Sequence, residues 1–394
     1  MKILVVCQYY KPEPFRISDI CEALVDEGHE VTVVTGMPNY PQGEIYPGYE
    51  KSGGHDSTEY GVRIHRCFTV PRKSGALYRM LNYFSFAWSS TRYLSRLREE
   101  YDVVFVNQLS PVMMGQGAIR YAKKWKKNVV LYCLDLWPES LQAGGIRKNS
   151  MIYNLFLKIS RKIYTSVDQI LVTSKGFVPY LKEYIGVKCE CDYLPQYAET
   201  FFDDVPPYEH HSPPYHFMFA GNVGEMQSVE TIIEAARILK DDERAVIDIV
   251  GDGSALEHCK SLAQGLPNVV FHGRKDVSQM PSYYSKADAM LVSMKDNDEI
   301  ALTLPGKVQS YMAAGRAILG SIGGETAQVI VESRCGVCAG PENGEELAEL
   351  IGHILKEPET LKEYAEHSRV YYRKYFRKEA FMKKLTAVLV ANVK

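Results

Sequence analysis

The chain has 394 residues, 46% hydrophobic and 24% charged, which excludes disordered, collagen-like and coiled-coil architectures and suggests two or three domains. Residues 1–200 carry 25 Lys and Arg against 20 Asp and Glu, and residues 201–394 carry 21 against 28, so the net charge of −2 hides a basic half and an acidic half. That asymmetry points to two domains with different partners and is too small to make nucleic acid the main ligand. Nine cysteines are scattered. The closest pairs, Cys189-x-Cys191 and Cys335-x2-Cys338, lack zinc-type partners, and the pattern fits reduced thiols in a cytosolic protein. The opening MKILVVCQYY is too short in apolar residues for a signal peptide and reads as a first strand, and no apolar run is long enough to span a bilayer.

In chain order, Ile3–Val6 is followed by a helix over Ser18–Glu27 that Gly28 ends, then by apolar runs at Val31–Val34, Val103–Val106, Val129–Tyr132 and Ile170–Thr173. Short β-branched runs separated by helical stretches are the signature of a buried parallel sheet. Residues 201–215, rich in Pro, Asp and His, read as an interdomain linker. The alternation restarts with strands at His216–Ala220, Val246–Val250, Val269–Phe271, Ala289–Ser293 and Ala317–Gly320, and helices at Val229–Lys240, from Ser254, and at Lys307–Ala314. The tail from Pro358 to Lys394 reads as basic helix. The expected architecture is α/β, with two doubly wound Rossmann-like domains facing across a cleft: 1–200, the linker 201–215, 216–370, and a last helix at 371–394 crossing back to the first domain. In such sheets ligands bind beyond the carboxyl ends of the strands.

Several constellations sit at those ends. Gly221-Asn222-Val-Gly224 and Gly251-Asp-Gly253 each follow a strand and precede a helix, so the backbone there can approach a phosphate; an ordinary βα turn is the alternative. His272-Gly-Arg274 after a third strand adds a possible phosphate or base contact. Pro305-Gly306 starts a helix with Lys307 in its first turn, where the helix dipole disfavours a cation. An anionic ligand explains that charge better than stability does. On the other half, Asp135-Leu-Trp-Pro-Glu139-Ser140 offers two carboxylates, a Trp and a hydroxyl to a polyhydroxylated acceptor. Residues 71–98 hold six basic residues, among them Arg72, Lys73, Arg79 and Arg92, no acidic ones, and six aromatics including Trp88. Such a stretch suits a bilayer interface with anionic headgroups, unless the aromatics are core. Further basic clusters lie at Arg120–Lys127 and Arg147–Lys162. His29, at a helix-to-strand corner, reads as structural.

Taken together, Gln8–Glu13, Gly28–Val31, Pro38–Gly43, Asp135–Ser140, Gly221–Gly224, Gly251–Gly253 and Pro305–Gly315 resemble, in order and over nearly the whole chain, the retaining glycosyltransferases of family 4, and within them the WbuB-like branch of capsule and O-antigen enzymes. The resemblance implies the GT-B fold, an N-terminal acceptor domain and a C-terminal donor domain for a nucleotide sugar, usually UDP-linked. It implies no cofactor and no essential metal; Asp296-Asn-Asp298 is the nearest thing to a DxD motif. The family's paired glutamates fall here on Leu302 and Ser310, so Glu299 or Glu325 would take the sugar or ribose contacts. The Arg and Lys of its glycine loop are Asn222 and Gln227, leaving the diphosphate to Lys307 and Arg274. A His common after the 103–106 strand is replaced by Asn107-Gln108, which makes Asp135, with Glu139, the acceptor-side catalytic candidate.

The resulting expectation is a cytoplasmic enzyme, peripheral at the cytoplasmic face of the membrane, that passes a sugar to a polyprenyl-diphosphate-linked acceptor. Arg72, Lys73, Arg79, Trp88 and Arg92 would meet the membrane and acceptor. The alternatives are a UDP-sugar 2-epimerase and a non-catalytic partner of an active transferase. A dinucleotide-dependent dehydrogenase is disfavoured because Gln8–Pro14 stands where GxGxxG would be.

Overall fold

The computed structural model describes residues 1–50, 55–73 and 75–394, so Ser74 of the basic stretch lies outside the described residues. The chain forms two compact units: Met1–Thr173 with Phe177–Leu194 and Met382–Lys394, and Pro195–Phe381 with Ser174–Gly176.

The first unit runs β1 (Lys2–Val6), α1 (Ile17–Asp26), β2 (Glu30–Gly36), β3 (His55–Glu59), β4 (Val62–Cys67), α2 (Ala76–Arg96), β5 (Val103–Gln108), α3 (Gln116–Trp125), β6 (Val129–Cys133), α4 (Met151–Tyr164), β7 (Gln169–Val172), α5 (Phe177–Pro179) running into a π turn, and β8 (Glu190–Tyr193). Its sheet has the order β3-β4-β2-β1-β5-β6-β7-β8 and is parallel except for β3. Ile3–Val6 and Val103–Val106 are buried on both faces, which explains why they read as unbroken apolar runs rather than alternating ones. The order reverses between β1 and β5, and the loops after β1, β2, β5 and β6 gather beside that reversal. Edge strand β3, with the polar sequence HDSTE, carries no apolar run, and the sequence gives no sign of it.

The second unit runs β9 (Tyr215–Ala220), α6 (Val229–Ile238), β10 (Ala245–Val250), α7 (Leu256–Leu262), β11 (Val269–Gly273), α8 (Met280–Tyr284), β12 (Ala289–Ser293), α9 (Gly306–Ala313), β13 (Ala317–Ser321), α10 (Gly324–Ser333), β14 (Gly336–Ala339), α11 (Gly344–Lys356) and α12 (Thr360–Tyr375). Its six strands, β11-β10-β9-β12-β13-β14, are all parallel, with the reversal between β9 and β12. Helix α13 (Lys378–Ala391) carries the chain from one unit to the other. Its far part closes the first unit: Lys384 Nζ donates to the Tyr193 carbonyl at 2.8 Å and Asn392 Nδ2 to Gln169 Oε1 at 2.6 Å.

Residues 201–215 are not a free linker. Phe202 stacks on Tyr284 with ring centroids 4.9 Å apart, Val205 and Tyr208 are buried, and Tyr208 donates to Asp288 at 3.0 Å. Apolar anchors spaced among Pro, Asp and His hold this segment on the second unit, and the chain changes units earlier, at Leu194–Pro195.

Candidate functional site

At the strand reversal of the second unit the two glycine turns lie against one another. Gly221 (φ +144°) and Gly251 (φ +148°) have backbones open only to glycine, and a Cβ on Gly251 would sit 1.8 Å from the Gly221 carbonyl oxygen. A Cβ on Gly253 would meet the Val223 carbonyl at 2.3 Å. These turns are therefore glycine because two backbones pack without side chains, which leaves Gly221 and Asn222 exposed. A single 3₁₀ turn, Glu225–Gln227, separates this loop from α6, so the glycines do not open directly onto the helix terminus. Asn222 Nδ2 donates to Gln227 Oε1 at 3.0 Å, and the two amides close over Gly224, where a Cβ would lie 2.5 Å from Asn222. In this geometry they brace the loop rather than project from it.

Lys307 comes up beneath this loop from the first turn of α9. Its amine lies 4.0 Å from the Phe219 ring centroid, and a Cβ on Gly221 would be 2.9 Å from it. The Nζ is sealed from solvent and has no hydrogen-bond partner among the described residues. Burial alone pushes its pKa down from 10.5 to about 7. The amine is thus held against an aromatic face beside an exposed glycine turn, with no carboxylate partner among the described residues, so its charge is uncompensated when it is protonated.

The other donor-side residues divide. Glu299 stands half-buried at the start of the 3₁₀ turn that leads to α9. Arg274 is exposed. Glu325, read from the sequence as a sugar or ribose contact, is instead 6% exposed, and its carboxylate accepts from Ser174 Oγ, Lys175 N (2.7 Å) and Gly176 N. The one Ser174 hydroxyl proton is shared between Glu325 and the Leu302 carbonyl, and Thr326 Oγ1 donates to Thr303 O at 2.9 Å. Glu325 thus fixes the loop ahead of α9. Ser310, where the resemblance places a glutamate, donates to Glu199 Oε2 at 3.3 Å.

His272 is likewise engaged: its Nε2 lies 2.6 Å from Asp248, whose other oxygen is 2.7 Å from His216 Nδ1. The Asp248 hydrogen bond, opposed by partial burial, raises the His216 pKa above 6.5; burial would raise that of Asp248, but the two histidines bring it below 3.8. The histidine's contribution to stability is complete below pH 6.5 and lost as pH rises through its folded pKa; the aspartate's is present above pH 3.8 and lost as pH falls through its own. Replacing His216 with alanine should therefore cost about 1 kcal/mol at pH 5.5, allowing for solvent screening of a partly exposed ring, and clearly less at pH 8.5. Urea unfolding at the two pH values measures this, and an equal loss at both would contradict it.

In the first unit, Asp135 lies just beyond β6. Its carboxylate accepts from Ser110 and Ser140, and Ser110 Oγ in turn accepts from Trp137 Nε1 at 2.8 Å. Burial raises the Asp135 pKa against these hydrogen bonds and the nearby Arg72 charge. Arg72 is not on an exposed basic face. It is half-buried between the Tyr40 and Tyr83 rings, 5.9 and 5.7 Å away, with the Tyr9 hydroxyl at 3.4 Å. Asp135, Ser110, Arg72, Tyr9 and Tyr83 form a polar, aromatic cluster at the strand reversal. Ser110 carried no sequence signal, being far from Asp135 in the chain, and Tyr83 showed only as one of the six aromatics of residues 71–98. Glu139, read as a second catalytic carboxylate, is 1% exposed; it accepts from the Tyr153 hydroxyl at 2.7 Å and from Gln142 at 3.1 Å. It anchors the turn after β6 instead.

The outer face of α2 is apolar. Leu77, Leu81, Phe84 and Trp88 are 45–70% exposed, and Met151, Ile152 and Leu155 of α4 are 53–90% exposed. The Phe84 and Phe156 rings, 6.2 Å apart, bring the two helices together. Lys73, Arg79, Arg92, Lys148 and Lys158 are exposed on or beside the same helices, with Arg92 6.0 Å from the Trp88 ring. Among the described residues no helix is long and apolar enough to cross a membrane, and no group of three or more His, Cys, Asp or Glu could hold a metal.

Two doubly wound sheets, each with its site at a strand reversal, define a GT-B fold. Over 98% of both chains it is similar, with a TM-score of 0.74 at 15% identity, to sucrose-phosphate synthase from Thermosynechococcus elongatus. Over 99% of both chains, with a TM-score of 0.69 at 13% identity, it is similar to HepE of Anabaena, solved in complex with UDP and glucose. The chain belongs to the glycosyltransferases: residues 15–194 match the family described as glycosyl transferase 4-like domain and residues 214–357 the family described as glycosyl transferases group 1. In sequence it is 27% identical, over 93% of its length and 96% of the relative's, to WcaI of Escherichia coli (strain K12), named as a colanic acid biosynthesis glycosyl transferase.

Proposed function

We propose that this glycosyltransferase is a retaining, metal-independent enzyme of the WbuB-like branch. It would move a hexosyl or N-acetylhexosaminyl group from a UDP-sugar to a polyprenyl-diphosphate-linked acceptor in bacterial surface polysaccharide synthesis, at the cytoplasmic face of the membrane. The observation that carries the reading is the sealed, unpartnered Lys307 amine under the exposed Gly221–Gly224 turn. A diphosphate supplies the charge this amine lacks, and the amine in turn stabilises the leaving nucleotide as charge develops on it, which removes the need for a metal. Glu299 would contact the sugar and Arg274 the phosphate. On the acceptor side, Asp135 and Ser110 would orient the attacking hydroxyl while Arg72 holds an acceptor phosphate. A leaving phosphate oxygen can itself take the acceptor proton, so no separate base is required. The relative in colanic acid synthesis and the neighbour crystallised with UDP and glucose support the substrate classes.

UDP release from a panel of UDP-sugars, with and without a bacterial lipid extract, tests this. Release that requires lipid is the expected result. Release without lipid would indicate hydrolysis or lyase-like chemistry, an epimerised UDP-sugar found among the products would favour the epimerase, and no release together with no UDP binding would favour a non-catalytic partner.

The α2–α4 face is the surface we assign to the membrane, its apolar row lying in the headgroup region with basic residues beside it. Leu81→Glu with Met151→Glu should lower sedimentation with phosphatidylglycerol vesicles by about tenfold or more while leaving UDP affinity unchanged. Undiminished sedimentation would remove this face from the account.

A further inference from the structure

In the second unit, Arg369, Arg373 and Arg377 recur at every fourth residue along and just past α12, and with Asp203, Ala313 and Tyr372 they line a cavity of about 390 Å³. Arg369 and Arg373 are like charges one turn apart and repel, while the dipole of α12 favours cations at its C-terminal end, where Arg373 and Arg377 stand; neither effect requires all three to face one cavity. Asp203 is the single acid in the lining. Behind the wall is a fourth cation, Arg316, 2% exposed, whose hydrogen bonds all go to carbonyls: Tyr284, Pro206, Ala314, Gly315 and Ser285. Carbonyl partners satisfy its donors, and Asp288 offsets part of its charge. Burial and the neighbouring Arg369, opposed by Asp288, push its pKa down to about 10.

Arg369 is the most constrained of the set. One of its terminal nitrogens donates to the Val205 carbonyl, yet its Nε is sealed and has no acceptor among the described residues. Gly315 (φ +60°) makes room for it, since a Cβ there would lie 2.1 Å from that nitrogen. Arg373 and Arg377 are exposed, the latter 3.3 Å from Glu379 at the rim. The wall therefore combines an excess of positive charge, an open face and guanidinium forks, which match the tetrahedral oxygens of phosphate. It is separate from the Lys307 loop: Lys307 stands in the first turn of α9 and Ala313 ends the helix, about 9 Å further along its axis.

We infer that this cavity is a second anion site, which binds a phosphate group carried either by a soluble metabolite or by a lipid headgroup. The test is thermal unfolding of the full chain titrated with inorganic phosphate against chloride at matched ionic strength, because phosphate also stabilises proteins non-specifically. A saturable rise in Tm is expected in the wild type and in Lys307→Met. In Arg373→Gln with Arg377→Gln, both exposed and so compatible with folding, the apparent affinity should fall about tenfold for each arginine removed. A response unchanged in the arginine variant, or lost in Lys307→Met, would overturn the inference. Sedimentation with phosphatidylglycerol vesicles, in a Leu81→Glu, Met151→Glu background, separates the two sources. Arginine-dependent sedimentation without a phosphate response assigns a lipid headgroup, and no arginine-dependent response in either arm overturns the site.

Discussion

Lys307→Met is expected to make the unliganded protein more stable and to weaken donor binding strongly at the same time. Methionine keeps the length of the side chain and its contact with Phe219 but carries no charge into the sealed space. Because the folded pKa is depressed to about 7, the native state at pH 7–10 holds fewer protons than the unfolded chain, so wild-type stability should rise with pH across that window. Removing the amine should therefore add about 1–3 kcal/mol near pH 7 and flatten the slope above it. UDP affinity should fall about 100-fold, the loss expected when a desolvated charge-assisted contact to phosphate is removed. A gain in stability paired with a loss of binding is how a strained functional group behaves, whereas a structural lysine would lose both. Urea unfolding at pH 7 and 9 with UDP calorimetry reads the two halves separately.

Glu325→Ala should strongly destabilise the second unit. It strips the acceptor from the Ser174 hydroxyl and from the Lys175 and Gly176 amides in a space that is 6% exposed. One buried donor, the Ser174 hydroxyl, and two part-buried amides lose their common partner, which costs about 2–3 kcal/mol. The loop before α9 should loosen too, since Ser174 and Thr326 hold the carbonyls of Leu302 and Thr303. The expected signature is a lower urea midpoint with a raised KM for the donor, and Glu325→Gln, which keeps one acceptor oxygen, should recover part of both. A Glu325→Ala protein of wild-type stability but with no donor binding would instead return this carboxylate to the ligand.

Buried parallel strands announce themselves because both faces are apolar: Ile3–Val6, Val129–Tyr132 and Val246–Val250 all lie in strands. Edge strands do not. HDSTE at β3 and ECDY at β8 face solvent and read as loop. The polar stretch 201–215 reads as linker because composition shows its prolines and histidines and does not show that Phe202 stacks on Tyr284.

For the sites, the sequence displays a charge out of place at Lys307, and the structure adds the Phe219 ring and the missing acceptor that give it meaning. Glu139, His272 and Glu325 stand near the carboxyl ends of strands, but their partners, Tyr153, Asp248 and Ser174–Gly176, are distant in the chain, so nothing local distinguishes an anchor from a ligand. The arginine wall is invisible for the same reason, since Asp203 and Arg369 meet only after the second unit has folded.

In the proposed function Lys307 receives the diphosphate. Calorimetry of UDP binding at pH 8 in two buffers of different ionisation enthalpy measures it most directly. An amine with a pKa of about 7 in the free protein becomes charged on a diphosphate, so the wild type should take up nearly one proton per UDP bound, and Lys307→Met none. UDP binding with no proton uptake, or with full affinity in the methionine variant, would contradict the account.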